Sequence, residues 1–124
     1  MTIQSLTTYN VFQTTATDAT FHVGVVPRAG VVTKVYAAQG VVATEADETM
    51  SITVTKTDSD TNVLSAALVI DSANSADIAE VGAIATTGAA NVAAGDVLKV
   101  ALDYTVGTGA VPQLNTIVTL EITH

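Results

Sequence analysis

Cysteine and tryptophan are both missing from this sequence. Without cysteine there can be no disulfide, no thiolate nucleophile and no cysteine-ligated zinc. With no tryptophan, two phenylalanines and three tyrosines, there is little aromatic surface for sugar rings to stack on, which counts against a lectin. The same shortage forces a core of small side chains, each worth about 1.5–3 kcal/mol when buried. A thin core of this kind gains stability by oligomerising or by docking on a larger body.

Positive charge is scarce as well. Four Lys and Arg stand against twelve Asp and Glu, a formal net charge of −8. Arg28, Lys34, Lys56 and Lys99 are scattered along the chain, whereas nucleic-acid binding needs clustered cations to neutralise phosphates. Neither nucleic acid nor an anionic membrane surface is an expected partner. No apolar run approaches the roughly 20 residues of a membrane helix. Residues 1–5 lack a basic stretch followed by an apolar one, so no signal peptide is expected. No Asn-x-Ser/Thr acceptor occurs. These absences fit a protein made in the cytoplasm of a microbe.

What is present points to strands. Thr, Val and Ala make up about half of the 124 residues. Branching at Cβ suits Thr and Val to a pleated sheet. Two segments near the C-terminus carry the clearest pattern. Leu98, Val100, Leu102 and Tyr104 alternate with Lys99 and Asp103. Leu114, Val118, Leu120 and Ile122 share one parity, with Asn115, Thr119 and Glu121 on the other. A period of two places each set on one face of a strand, and the two segments are expected to pair as a final antiparallel hairpin. Further strands are expected over 20–26, 31–39, 48–56 and 62–70, with a turn at Pro27-Arg28-Ala29-Gly30. In the third of these, Met50, Ile52 and Val54 face one way and Ser51, Thr53 and Thr55 the other. Residues 77–86 are ambiguous: their Ala, Ile and Glu content allows a short helix, but Val81, Gly82 and Ile84 lean towards strand. Seven or eight short strands with a turn every 8–12 residues make an all-β fold, a sandwich or barrel, of which a jelly roll is one form.

The N-terminal segment differs. Ile3, Leu6, Tyr9 and Phe12 recur at every third position among Thr, Gln and Asn. Thr and Asn are poor helix formers, which argues against a helix despite the spacing. Residues 1–19 are expected to form an extended N-terminal arm ahead of a β-sandwich domain over 20–124; an ordinary edge strand of that domain is the alternative. As an arm, the segment carries Ile3, Leu6, Tyr9 and Phe12 as candidate partner contacts, because an extended strand can add to a neighbour's sheet edge.

Residues that could carry chemistry are few. Asp58, Asp60 and Asn62 have the spacing that opens a calcium loop, but Val63 stands where glycine is needed and Val69 where a bidentate glutamate is needed. A solvated hairpin loop explains them. Glu45, Asp47 and Glu48 form a second acidic group; paired carboxylates catalyse only in a cleft with one pKa raised. His22 is the lone internal histidine, and no Gly-x-Ser-x-Gly, His-Glu-x-x-His or glycine-rich phosphate loop is present. No enzyme activity and no cofactor are expected.

Four stretches carry a resemblance. They are residues 30–38 (Gly-Val-Val-Thr-Lys-Val-Tyr-Ala-Ala), 50–54 (Met-Ser-Ile-Thr-Val), 93–100 (Ala-Ala-Gly-Asp-Val-Leu-Lys-Val) and 114–122. Together they resemble the head decoration, or cement, proteins of tailed bacteriophages, whose related modules occur in head fibres and baseplates. The sequence departs from that pattern in loops: Ser59-Asp60 replaces an Asn-Gly turn, and residues 43–48 lack a glycine. The resemblance implies a jelly-roll-like sandwich that binds the outer capsid surface and stabilises the head. It further implies the major capsid protein as partner, a homotrimer near three-fold axes, and residence in the virion after synthesis in the host cytoplasm. The alternative within the same resemblance is a host-surface or glycan-binding module of a tail fibre or baseplate.

Overall fold

The computed structural model describes residues 4–108 and 113–124. Ten strands form: β1 (Leu6–Gln13), β2 (Ala19–Val25), β3 (Gly30–Val41), β4 (Thr49–Lys56), β5 (Thr61–Asn62), β6 (Leu68–Ile70), β7 (Glu80–Val81), β8 (Asn91–Val92), β9 (Val97–Thr105) and β10 (Leu114–Thr123). Among the described residues there is no helix.

The strands make two antiparallel sheets. The first runs β1-β10-β3-β7, with β8 also on β3; the second runs β2-β9-β4-β5, with β6 also on β4. The chain crosses between the sheets again and again instead of completing one before starting the other. If β5 with β6, and β7 with β8, are each counted as one interrupted strand, this order is an eight-stranded jelly roll. The all-β sandwich expected from the alternating pattern is therefore the fold, in its jelly-roll form.

The core lies between the sheets. From the first sheet come Val32, Val35, Ala37, Val118, Leu120 and Ile122; from the second come Met50, Ile52, Val54, Leu98, Val100 and Leu102, all buried. A bulge between Glu121 and Ile122 shifts the β10–β3 register. It lets Val32 and Val35, three residues apart, both face inward. At one end the core turns polar. Gln13, Thr116 and Gln39 lie side by side across β1, β10 and β3 and are buried. The Gln39 amide donates to Thr116 Oγ1 at 3.0 Å. Gln113 closes the same end, donating to the carbonyls of Glu48 and Ile70 at 3.0 and 2.9 Å.

Two expectations need correction. The last two strands do not form a hairpin: β9 pairs with β2 and β4, and β10 with β1 and β3. Their apolar faces oppose each other across the core. Eight residues, 106–113, separate them in sequence, against the two of a tight hairpin turn. Residues 62–70 also fail to form one strand. Val63 and Leu64 are both buried, which no strand with one wet face allows. Here the chain leaves β4 and bridges to the next segment: Leu64 pairs with Ile84, and Ser65 N donates to the Ala83 carbonyl at 2.9 Å. The ambiguous 77–86 segment is mostly irregular, holding the short β7.

Candidate interaction surface

Residues 6–13 pair along their whole length with β10. In this chain the segment is an edge strand of the domain's own sheet, the alternative weighed against a free arm. Pleating divides the four residues singled out there. Tyr9 points inward beside Val11 and packs on the core. Its ring covers Gly24 of β2, and its hydroxyl donates to the Val25 carbonyl at 2.8 Å. Leu6 and Phe12 point outward and are more than half exposed. Ile3 lies outside the described residues.

Outward Phe12 is not alone. The register aligns the outer face of the first sheet in rows across the strands. Phe12 lies opposite Ile117, and Ile117 opposite Ala38. The next row is Asn10, Thr119, Tyr36 and Val81, where Thr119 Oγ1 donates to Asn10 Oδ1 at 2.8 Å. Then come Thr8, Glu121 and Lys34. Ile117 is 46% exposed and Val81 62%. Between the first two rows Ala38 and Ala79 are small, and they leave a depression of about 190 Å³ flanked by Tyr36, Ile117 and Thr119. Within these rows the charges are Lys34 and Glu121, directly opposite each other. The Lys34 ammonium sits 5.9 Å from the Tyr36 ring centre. Its pKa is held above the ordinary lysine value by Tyr36 first and by the Glu121 carboxylate after it. The face is thus an apolar strip with a neutral charge pair at one side, on a molecule of net charge −8.

Sequence reasoning passed over Ile117, Tyr36 and Val81. The signal was available at Ile117, an isoleucine on the polar parity of β10, which otherwise holds Asn115, Thr119, Glu121 and Thr123.

The acidic groups serve the loops. Asp60 pairs with Lys99 at 2.9 Å. Asn62 Oδ1 accepts from the Leu64 amide at 3.1 Å, as a turn residue does. Asp47 Oδ2 accepts from the amide and hydroxyl of Thr108 at 3.0 and 3.1 Å. Glu48 is buried and accepts from the Tyr104 hydroxyl at 3.1 Å. Among the described residues no three His, Asp or Glu side chains gather as a metal site. His22 is exposed on β2. His124 Nδ1 donates to the Ala29 carbonyl at 3.3 Å, and its Nε2 shares a 2.9 Å hydrogen bond with the Thr7 hydroxyl.

The architecture places the chain among the jelly-roll β-sandwiches, a class that includes many viral shell domains as well as lectins and cupins. A chain in the capsid asymmetric unit of cyanophage Pam1 superposes with a TM-score of 0.60 at 17% identity, over 97% of this chain and 82% of that one. A chain in the capsid of Ralstonia phage GP4 gives a TM-score of 0.54 at 17% identity, over 97% of this chain and 84% of that one. At that identity the likeness is one of fold. No family model matches the sequence, and no curated protein does.

Proposed function

We propose that this chain is a structural protein of a tailed-phage virion. It binds the outer surface of the capsid, with the major capsid protein as its partner, and stabilises the head. The observation that carries the reading is the outer face of the first sheet. Phe12, Ile117, Ala38 and Tyr36 form an uncharged, partly apolar strip on a strongly acidic molecule. Exposed apolar strips rimmed by polar residues mark protein contacts. The fold shared with chains of two phage capsids and the resemblance to cement proteins support it. The work is mechanical: each copy makes a modest contact, and many copies together hold the shell against expansion.

The test is co-sedimentation of the purified protein with undecorated heads of the phage that carries it, beside host cells as a second surface. Saturable binding to heads that falls at least about tenfold in Ile117→Asp supports the reading. Binding to host cells and not to heads overturns it in favour of a host-surface module. Undiminished head binding by Ile117→Asp assigns the contact to another face.

A further inference from the structure

The sandwich has four sheet edges, and three are blunted. On the first sheet, β7 and β8 are two residues each. On the second sheet, β5 and β6 are two and three residues. The remaining edge of that sheet, β2, carries a bulge between His22 and Gly24. Short strands, bulges and charges are how proteins keep an edge from pairing with another chain. β1 has none of these. It is eight residues long, pairs with β10 without a register shift, and contains no Asp, Glu, Lys, Arg or Pro. Among the described residues its sole strand neighbour is β10.

The sequence of that edge is self-complementary. Leu6 and Phe12 are each three residues from Tyr9 and share the outward face. If two copies of β1 run antiparallel about Tyr9, Leu6 of each meets Phe12 of the other, and Thr8 meets Asn10. Both large apolar side chains that β1 leaves more than half exposed, Leu6 and Phe12, then gain an apolar partner. No like charges meet in the strand pair, an important condition for a molecule of net charge −8. The two-fold axis through the Tyr9 pair closes the contact.

We propose that β1 is a homodimerisation edge, pairing antiparallel with β1 of a second copy in the register that sets Leu6 opposite Phe12. The two first sheets then join into one, and their outer faces form one continuous surface. The inference is independent of the capsid reading, because it is read in solution without a capsid.

The chain has no cysteine, so engineered thiols report cleanly. Leu6→Cys and Phe12→Cys proteins are each treated with a short bismaleimide, alone and mixed. Directly opposed side chains lie about 5 Å apart, so the mixture should cross-link roughly tenfold more than either alone. A second arm reads mass by sedimentation. The wild type should be a dimer at high micromolar concentration. Thr8→Lys/Asn10→Lys, which opposes like charges twice, should be monomeric. Thr8→Lys/Asn10→Glu, which opposes unlike charges twice, should be dimeric. Thermal melts in dilute solution establish that all variants fold. A wild-type monomer or trimer overturns the proposal. So does equal cross-linking of the mixed and single thiol variants, or a dimer indifferent to the Lys/Lys change.

Discussion

The Tyr9 hydroxyl donates to the Val25 carbonyl at 2.8 Å, and this bond joins the outermost strand of one sheet to the outermost strand of the other. The ring lies over Gly24, whose φ of 154° is one that L side chains rarely adopt. A Cβ on Gly24 would stand 2.5 Å from Tyr9 Cε1. The glycine therefore serves two needs at once: it permits the β2 bulge and makes room for the ring that closes this side of the sandwich.

Gly24→Ala should destabilise the fold by roughly 1–3 kcal/mol, through backbone strain and overpacking together. Tyr9→Ala should remove the overpacking part of that penalty. In urea denaturation the Tyr9→Ala/Gly24→Ala double variant should lose less than the sum of the two singles. Strict additivity would show that ring and glycine do not interact.

Ile117→Asp should change stability little, by about 1 kcal/mol or less, because the side chain is on the wet face of β10. Leu120→Ala, on the opposite face and fully buried, should cost about 2–5 kcal/mol. Denaturation of the two proteins side by side checks the assignment of the faces. Equal losses would contradict it.

Gln39 and Thr116 bond to each other inside the sandwich, and among the described residues Gln39 Oε1 has no hydrogen-bond partner. Gln39→Met alone should destabilise by about 1–3 kcal/mol, since Thr116 loses its donor. Combining Gln39→Met with Thr116→Val should recover most of this or exceed wild type, because both buried polar groups are then gone. A double variant no better than the single would refute this account.

Burial pushes the Tyr104 phenol above its ordinary value of 10.0, and the hydrogen bond and charge of Glu48 push it the same way. A pKa raised in the folded state stabilises fully below the unfolded value and is lost as pH rises through the folded one. Melting temperature should therefore hold at moderately alkaline pH and fall above about pH 10. Tyr104→Phe should flatten part of that fall. An unchanged alkaline slope in Tyr104→Phe would remove Tyr104 as its source.

The sequence by itself determined where most strands run and which face of each is apolar. Met50, Ile52 and Val54 are buried, as are Leu98, Val100 and Leu102, because a period of two leaves a strand with one wet face no other arrangement. It also held the clue to the outer strip, since Ile117 breaks the parity of β10. The threefold spacing of Leu6, Tyr9 and Phe12 alternates faces once β1 forms a strand, so Leu6 and Phe12 share the outward face and Tyr9 points inward. Tertiary structure alone decided which strands are neighbours. Strand pairing is made by main-chain groups that are the same in every residue, so β9 could satisfy its apolar face beside β10 or across from it. The jelly roll takes the second arrangement, with β10 between β1 and β3 and β9 between β2 and β4. Each apolar face is then covered by the opposite sheet, which a hairpin standing alone could not have provided.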